Sequence, residues 1–581
     1  MSPFLPATVL LLIILTLSSC NQSKPEAGTG DGDDTSTTQS GNPDDANDPT
    51  TDDSSGEDPL AAEAWHLDNR GQKSFSSNGG KSGEDVSVKS VHASGVKGAG
   101  IRIAVSDSGV DLSHPDLQDN DLPGEHRDYS SNSSSAWRGG NPYPIEGEGH
   151  GTAVSGLAAA EGWNGIGSRG IAPEAKFSGF LFIGNFHTTS SSYEAKSLDQ
   201  MTGAFDIFNY SYGYAGCAFV PASSSIISAY KSGVTNLRSG KGAIYIKAVG
   251  NDYLGHNSDC NQNDFSYFLG NSNTGEDQNV PYVILAAAMN ANGKISSYST
   301  PGSGVWVASL GGEFGANSPA MVTTDIVGCG SGISSSLSQV NGFNKGGSGN
   351  SHCDYTSIMN GTSSAAPVLS GVVALMLSAN PDLTWRDVKH ILAATADKVN
   401  YSTAALDHPS SKPLSGYAYD YVYVKNAAGY DFSNTYGFGR VNAAKAVEMA
   451  KDYDENLGTY KEELISSGAL SIAIPDRSAA GASHSINVAS ATSIEAIQIK
   501  LSTNHTFLGD LGVQLTSPSG TTSRILLINN NIKQSGLSEY TLLSNAFYGE
   551  SSKGNWTIKL VDGASGNTGK LTKWQIKING H

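Results

Sequence analysis

The most informative part of this sequence is a short segment in its second half, Asn360-Gly361-Thr362-Ser363-Ser364-Ala365-Ala366-Pro367. It leads directly into residues 368–377, which read VLSGVVALML. We predict a buried helix that begins just after Gly361, with Ser363 in its first turn. Such a helix start presents free backbone N–H groups and the positive end of the helix dipole. Both favour a nucleophile and the negative charge that develops beside it. By itself, Ser363 could equally be a helix N-cap.

Two segments upstream of this one carry a carboxylate and a histidine. The first is Ile101-Arg102-Ile103-Ala104-Val105-Ser106-Asp107, whose alternating β-branched residues predict a buried strand that ends at a carboxylate. The second is Gly149-His150-Gly151-Thr152, where a histidine between two glycines opens an apolar helix. Taken alone, Asp107 could be an ordinary turn residue, and a lone buried His is more often structural than catalytic.

Together, the three segments resemble the subtilisin superfamily of serine proteases, in which Asp, His and Ser follow in this order along the chain. The matching motifs are His150-Gly151-Thr152 and Gly361-Thr362-Ser363-x-Ala365-x-Pro367. The resemblance implies an α/β catalytic domain with a mainly parallel sheet and helices on both faces. It also implies that Ser363 is the nucleophile, that His150 takes its proton, and that Asp107 holds the histidine tautomer.

The same resemblance assigns roles to two further segments. Residues 244–251 predict a strand that delivers an amide at its end, and the family implies that Asn251 donates a hydrogen bond to the oxyanion. Ser211 and Gly213, in the segment NYSYG, resemble the edge strand that pairs with the substrate backbone. The alternative for Asn251 is an ordinary asparagine in a turn, and the alternative for Ser211 and Gly213 is a plain Ser/Gly turn.

The C-terminal part of the chain resembles the kexin and furin branch. The segments Asn380-Pro381-Asp382-Leu383-Thr384-Trp385 and Tyr436-Gly437-Phe438-Gly439-Arg440 carry this likeness within a peptidase domain expected over residues 57–455. Beyond it, short alternating strands such as 494–501 and 556–560 are separated by Gly, Asn and Ser turns. They resemble the P domain of kexins, an all-β, jelly-roll-like sandwich that we expect over residues 465–581.

A calcium site is implied by position within this family. Asp58, Asp116 and Asn164 match the spacing of its oxygen ligands at three separate places, and backbone carbonyls would complete the cage. The full set of predicted ligands is Asp58, Asp116, Glu161, Asn164, Ile166 and Ser168. Carboxylates combined with carbonyl oxygens suit a hard cation. The alternative is that these are separate surface residues.

The N-terminus resembles a bacterial lipoprotein signal. The apolar residues 7–17 are too few to span a bilayer comfortably, and Leu17-Ser18-Ser19-Cys20 resembles a lipobox. We therefore expect a signal peptide over residues 1–19, a lipid on Cys20 and an exported, membrane-anchored enzyme, although residues 1–6 lack Lys and Arg. The alternative is an ordinary signal peptide. Residues 20–56 are predicted to be a disordered tether, because residues 21–57 contain no Ile, Leu, Val, Met, Phe, Trp or Tyr.

The remaining cysteines are an even number in a chain expected to be exported, which favours disulfides. They are Cys217, Cys260, Cys329 and Cys353. Of the three possible pairings we favour Cys217–Cys260 and Cys329–Cys353, because the second would close the Gly- and Ser-rich loop 330–352. A zinc site is less favoured, since no C-x₂-C spacing occurs.

Substrate selection is less well defined by the sequence. Furin-like enzymes have two acidic stretches in the wall of the pocket that receives Arg or Lys. The resemblance places Asp264 in the second of these stretches. The first stretch, after Gly213, has no acid in this sequence. The acidic net charge of −19 mildly favours basic substrates and excludes a nucleic-acid partner. Composition also excludes a coiled coil and a polytopic membrane protein.

Partners and alternatives follow from the same observations. We expect protein or peptide substrates, a monomer, and a possible folding helper in trans, because residues 21–57 cannot form a globular prodomain. One alternative function is a catalytically weak binding or adhesion module on the same fold. The other is an α/β-hydrolase esterase, which the order Asp, His, Ser argues against.

Overall fold

The structure is a computed structural model that describes residues 56–187, 189–214, 216–253, 270–275, 277–335, 340–406 and 413–581. The predictions for the signal peptide, Cys20, the tether up to residue 55, Cys260 and Asp264 lie outside these residues.

The first domain is built on a seven-stranded sheet in the order β2-β3-β1-β4-β5-β6-β7, and all neighbouring strands are parallel. Its strands are β1 (Arg102–Asp107), β2 (Arg127–Asp128), β3 (Lys176–Leu181), β4 (Ile207–Tyr210), β5 (Ile244–Ala248), β6 (Val283–Met289) and β7 (Val305–Leu310). The helices are α1 (Lys89–Ala93), α2 (His150–Ala159), α3 (Ser190–Gln200), α4 (Ser224–Asn236), α5 (Thr362–Ala379), α6 (Trp385–Thr395) and α7 (Ala443–Lys451).

Three two-stranded sheets lie after the central sheet in the chain, and the strands of each are antiparallel. They pair β8 (Met321–Thr324) with β9 (Tyr355–Met359), β10 (Ala405–Leu406) with β11 (Asp420–Tyr421), and β12 (Val424–Lys425) with β13 (Asp431–Phe432).

Helices cover both faces of the central sheet, as predicted. On one face Ser370 of α5 donates a hydrogen bond to Asn209 of β4, with 2.9 Å between Oγ and Oδ1. On the other face the ring of Tyr230 in α4 packs edge-on against Tyr245 of β5, with 4.9 Å between centroids. Alternate residues of a strand point to opposite faces, so both faces of this sheet are buried and its strands are apolar throughout.

Helix α5 is the central element of this domain. It begins just after Gly361, as the sequence predicts, and all its side chains from Thr362 to Leu377 are buried. It is long and apolar enough to cross a bilayer, but 89% of that apolar window is buried inside the protein. Burial in the domain therefore accounts for its hydrophobicity.

The second domain is a sandwich of two antiparallel sheets. One sheet has five strands, in the order β14-β22-β17-β20, with β15 also paired to β22. The other has four strands, in the order β16-β21-β18-β19. The strands are β14 (Lys461–Ser466), β15 (Ile472–Ile474), β16 (Ser478–Val488), β17 (Ile494–Thr503), β18 (Leu511–Thr516), β19 (Thr522–Leu526), β20 (Leu537–Ser544), β21 (Gly554–Asp562) and β22 (Gly569–Gly580).

The sandwich differs from the predicted strands mainly in extent. The strands predicted at 494–501 and 556–560 run further, because pairing with β22 and β16 continues past their apolar centres. The first strand of the sandwich begins at Lys461, four residues before the expected start of the P domain, and it pairs with β22 along its whole length. Trp556 and Trp574 are fully buried between the sheets.

Candidate active site

Asp107 and His150 form a buried hydrogen-bonded pair. Strand β1 ends at Asp107, whose side chain is fully buried, and α2 begins at His150. His150 Nδ1 lies 2.6 Å from Asp107 Oδ1, and the backbone N–H of Ser108 donates to the same oxygen at 2.7 Å. The pair therefore orients the imidazole so that its other nitrogen, Nε2, is turned away from the carboxylate.

Burial and charge act in opposite directions on the pKa of His150. Burial is the largest single effect and lowers it, whereas the charge and hydrogen bond of Asp107 raise it, with a further contribution from Glu148. The net direction is upward. The site thus favours the protonated imidazole, which a general base becomes when it accepts a proton.

Glycines on both sides of His150 allow other parts of the chain to pack closely against it. A Cβ atom at Gly151 would lie 2.1 Å from the carbonyl oxygen of Gly109, and one at Gly149 would lie 2.1 Å from Asp325 Oδ1. Both distances are impossible for a real side chain. The two glycines are therefore required by close packing at this corner, as expected from the sequence.

Ser363 is the second residue of α5, directly after Gly361 with its positive φ of 95° and Thr362. Its side chain is nearly buried. In the structure, its hydroxyl donates to the backbone oxygen of Ser211 at 3.0 Å rather than to His150. A rotation about the Cα–Cβ bond would redirect this hydroxyl, and catalytic hydrogen bonds commonly tighten only when substrate binds.

Asn251 is held beside the start of α5 by a residue that sequence reasoning did not single out, Thr362. Asn251 Oδ1 accepts hydrogen bonds from the backbone N–H and the hydroxyl of Thr362, both at 2.9 Å. Because its oxygen accepts these two hydrogen bonds, the amide turns Nδ2 toward the start of α5. The nitrogen lies close to Gly361, since a Cβ atom added to that glycine would be 3.2 Å from Nδ2. A donor is thus available close to Ser363.

Ser211 and Gly213 lie beside the same helix start. The Ser211 hydroxyl donates to the backbone oxygen of Ser363 at 2.9 Å and accepts from Asn209 Nδ2 at 2.9 Å. The Ser211 side chain therefore holds strand β4 against α5, whereas Gly213 is exposed. Pairing with a substrate at this position would use the backbone.

The residues predicted to bind calcium come together from three parts of the chain. Asp58 Oδ1 accepts from the backbone N–H of Asn164 at 3.0 Å, and Asp116 Oδ1 accepts from Asn164 Nδ2 at 2.8 Å. The backbone N–H of Ser168 donates to Asp116 Oδ2 at 3.1 Å. Glu161 Oε2 lies 3.4 Å from Asn164 Nδ2. The exposed Ile166 contributes its N–H to Asn164 Oδ1 at 3.1 Å.

Asp58 has a second partner that sequence reasoning missed, Arg169. Its Nε donates to Asp58 Oδ2 at 2.7 Å, and its guanidinium stacks on the ring of Trp163 at 4.2 Å. A guanidinium therefore balances the charge of Asp58, which the expected oxygen cage did not include. No sequence motif marks this arginine, because its partner lies 111 residues away.

Asp116 retains the features expected of a cation ligand. Its buried carboxylate accepts from three neutral groups, the third being the Tyr355 hydroxyl at 3.3 Å. Burial raises the pKa of Asp116 to about 7, although the hydrogen bonds from Asn164 and Ser168 lower it. Among the described residues, the Ser168 hydroxyl is buried without a hydrogen-bond partner, and no three His, Cys, Asp or Glu side chains form a metal centre. Asp58 and Asp116 supply carboxylate oxygens that suit a calcium ion. Asn164 would offer its amide oxygen only after its amide flips, because Nδ2 now faces Asp116 and Oδ1 accepts from Ile166.

A disulfide joins Cys329 and Cys353, as predicted, with 5.0 Å between their Cα atoms. The loop that it closes packs on the segment leading to His150, because the N–H of Gly332 donates to the oxygen of Gly147 at 2.9 Å. Cys217 is also disulfide-bonded. The Cys217–Cys260 pairing remains a prediction, since Cys260 lies outside the described residues.

Comparison with protein families identifies both domains. The model of the subtilase family matches residues 98–439, which include Asp107, His150 and Ser363. The chain belongs to the subtilase family. The model of the proprotein convertase P-domain matches residues 494–578. This subtilase is therefore a serine protease with a C-terminal P domain, and the predicted fold class is confirmed.

Known relatives of this subtilase extend over both domains. It is 33% identical to the Aeromonas extracellular serine protease of Aeromonas sobria, over 90% of this chain and 91% of the relative. The crystal structure of the Aeromonas sobria serine protease superimposes with a TM-score of 0.81 at 31% identity, covering 90% and 96% of the two chains. Its complex with the chaperone ORF2 gives a TM-score of 0.80. Human neuroendocrine convertase 2 is 27% identical over 90% of this chain and 74% of the relative.

Proposed function

We propose that this subtilase is an exported endopeptidase that hydrolyses peptide bonds with Ser363, His150 and Asp107. The observation that carries the proposal is the buried contact of 2.6 Å between Asp107 and His150. A binding module would have no use for a buried carboxylate aligned on the ring nitrogen of a histidine.

In the proposed reaction, the Ser363 oxygen attacks the peptide carbonyl carbon while His150 takes the hydroxyl proton. The carbonyl oxygen becomes an oxyanion, which Asn251 Nδ2 stabilises. His150 then gives its proton to the leaving amine, and the acyl group remains on Ser363. A water molecule then attacks the acyl carbon while His150 takes its proton. His150 returns this proton to the Ser363 oxygen as the acid product leaves, which restores the serine. Asp107 keeps its hydrogen bond to His150 and stabilises the imidazolium.

The direct test is Ser363→Ala. We expect peptide hydrolysis to be abolished while the melting temperature stays within a few degrees, because helix α5 is held by buried apolar residues and not by this hydroxyl. Turnover on a peptide mixture and thermal unfolding should be measured on the same preparation. The matched control is Ser364→Ala, which removes the neighbouring buried hydroxyl. Turnover retained by Ser363→Ala would place the nucleophile elsewhere.

We also propose that a calcium ion stabilises the fold at Asp116, with Asp58, Asn164 and backbone oxygens near Glu161, Ile166 and Ser168. When bound, the ion would supply a positive charge that ties three distant segments together. Support comes from the buried Asp116 carboxylate, which contacts only neutral donors. Arg169 would retain its own contact with Asp58.

The remaining proposals concern location and assembly. We propose a signal peptide over residues 1–19, lipidation of Cys20 and a tether up to residue 56, so that the enzyme works outside the cytoplasm on a membrane anchor. The extracellular relative of Aeromonas sobria supports export. The peptidase domain would span 57–455, and the P domain, expected over 465–581, would include β14 from Lys461. We also propose a monomer and a folding helper in trans, and the chaperone complex of that relative supports the folding helper.

Specificity remains a separate proposal. We propose that Asp264 lines the pocket for a basic side chain of the substrate. We do not propose cleavage restricted to dibasic sites, because the other acid that furin-like enzymes use, after Gly213, is missing from the sequence.

A further inference from the structure

A tyrosine of the P domain contacts two segments of the catalytic domain at once. The hydroxyl of Tyr540, in strand β20, donates to the backbone oxygen of Asn273 at 2.7 Å. It also lies 3.3 Å from the oxygen of Thr274 and 3.4 Å from that of Val220. One hydroxyl group therefore bridges residues 273–274 and residue 220.

The first of these segments, residues 217–220, is held by the P domain along its length. The Phe219 ring packs on the Tyr540 ring with 4.6 Å between centroids, and it is buried within the hydrophobic core of the P domain. The backbone N–H of Phe219 donates to Gln534 Oε1 at 2.8 Å, and the oxygen of Cys217 accepts from the N–H of Lys533 at 2.7 Å. These contacts fix the position of the segment.

The second segment, residues 271–274, pairs with the edge of strand β20. Asn273 Oδ1 accepts from the N–H of Leu543 at 2.6 Å, and Asn273 Nδ2 donates to the oxygen of Leu543 at 3.2 Å. The two segments are also joined to each other, because the N–H of Val220 donates to the oxygen of Thr274 at 3.1 Å. Tyr540 thus lies at a junction of three chain segments.

Both segments are continuous with the proposed substrate cleft. Residues 217–220 follow Ser211 and Gly213 after a short connection, and residues 271–274 lead to Gln278. Gln278 Nε2 donates to the oxygen of Val249 at 2.9 Å, two residues before Asn251. A Cβ at Gly213 would lie 3.6 Å from the same nitrogen. Gln278 therefore spans the space between the proposed substrate-pairing segment and the proposed oxyanion donor.

We propose that Tyr540 is a positioning residue for substrate specificity. By holding residues 217–220 and 271–274 together, it sets the separation of Gly213 and Asn251, the two positions proposed to contact an extended peptide on either side of Gln278. The P domain thereby takes part in substrate selection, in addition to covering the catalytic domain. This inference rests on the proposed peptide hydrolysis.

The test is Tyr540→Phe, which removes the hydroxyl and keeps the ring packed on Phe219. We expect KM for peptide substrates to rise several-fold, because this hydroxyl no longer fixes residues 217–220 against residues 271–274, with kcat nearly unchanged. The preferred side chains in a peptide library should broaden. The rate at which a small sulfonyl fluoride sulfonylates the Ser363 oxygen, with loss of fluoride, should stay the same, because no atom of the proposed triad contacts Tyr540.

The matched control weakens the same domain interface away from the cleft. Glu495→Gln removes the charge that pairs with Arg386, whose Nε lies 3.0 Å from Glu495 Oε2. It should lower the melting temperature without changing KM or peptide preference. If Tyr540→Phe does not fold, Gln534→Ala serves in its place, because it removes the hydrogen bond to Phe219.

An unchanged KM and peptide preference in Tyr540→Phe, with an active wild type, would overturn the inference. So would an equal change in Glu495→Gln, which would indicate a general loosening of the interface. Failure of the proposed function would look different: the wild-type enzyme itself would neither hydrolyse peptides nor react with the sulfonyl fluoride at Ser363.

Discussion

Asn251 shows how a single residue is prepared for its proposed role by its neighbours. Two hydrogen bonds from Thr362 occupy the amide oxygen, so the amide cannot rotate freely and its Nδ2 stays beside the helix start. A donor whose orientation is fixed before reaction needs no reorganisation when charge develops on the substrate. This geometry links a turn residue after β5 to the chemistry of α5.

We expect Asn251→Ala to lower kcat by about 10²–10³-fold with little change in KM, since the donor acts mainly on the transition state. Steady-state kinetics on one peptide substrate would measure both constants. Thr362→Val is the matched control: it keeps the backbone N–H that orients Asn251 and should cost less. A kcat equal to that of the wild type would exclude Asn251 as the oxyanion donor.

The His150–Asp107 pair predicts the pH dependence of the reaction. Only neutral His150 can accept the Ser363 proton, so kcat/KM should rise with pH as His150 loses its own proton. Because the net effect of its surroundings raises the pKa of His150 above 6.5, the rising limb should be centred above that value. In Asp107→Asn the limb should move to lower pH, and the plateau should fall by about 10⁴-fold.

Glu148→Gln provides the control for this pH profile, because Glu148 also raises the pKa of His150 but does not contact its ring nitrogens in the proposed reaction. In Glu148→Gln the rising limb of kcat/KM should move slightly to lower pH, and the plateau value of kcat/KM should stay the same. A limb that stays in place in Asp107→Asn would contradict the assignment of the titrating group to His150.

At the scale of elements, the segment after α2 connects three separate parts of the fold. Residues 161–169 contact the N-terminal arm through Asp58, the turn at Asp116 and, through that carboxylate, Tyr355 of β9. Leu60 of the arm and Tyr355 also share a small apolar cluster. The polar groups around the buried Asp58 and Asp116 carboxylates add to this contact, and a cation bound there would strengthen it.

We expect the melting temperature of the protein to fall when calcium is chelated. An ion that binds only the native state at 100 times its Kd adds about 2.7 kcal/mol to the free energy of unfolding. Asp116→Ala should abolish this response, whereas Asp119→Ala, at a nearby exposed carboxylate, should preserve it. A wild-type melting curve that does not respond to a chelator would argue against a stabilising ion.

At the scale of the whole molecule, the two domains share an extensive apolar and polar boundary. Trp306 of β7 is fully buried and packs against Tyr548 of the P domain, with 5.5 Å between ring centroids. Asn545 Nδ2 donates to the oxygen of Gly304 at 2.9 Å. Without the P domain this face of the catalytic domain would be exposed to water, and large exposed apolar patches promote aggregation.

We therefore expect a chain that ends before β14, lacking residues 461–581, to be insoluble or inactive. The solubility and activity of this truncated chain should be compared with those of the full chain after identical expression. The same truncation in a Ser363→Ala background separates misfolding from self-cleavage, because that chain cannot digest itself. A soluble, active truncated enzyme would show that the catalytic domain folds alone.

The sequence by itself determined the fold class, the order and position of Asp107, His150 and Ser363, and the start of α5 after Gly361. The fold class followed from the family resemblance of the motifs, whereas the positions of these residues and the helix start are local features. A strand reveals itself by alternation, a helix start by glycine and small polar residues, and the motif residues lie at the ends of such elements. The disulfide between Cys329 and Cys353 was also predictable, because the two cysteines close one short loop of the chain.

Only the tertiary structure decided which distant groups meet. Arg169 balances the charge of Asp58 across 111 residues, and Tyr540 reaches Val220 across 320 residues. Periodicity tells which face of an element is buried, but it carries no information about which residue of another element lies opposite. The contacts of Asn251 with Thr362, and of the P domain with the cleft, depend on how whole elements pack and could be found only in three dimensions.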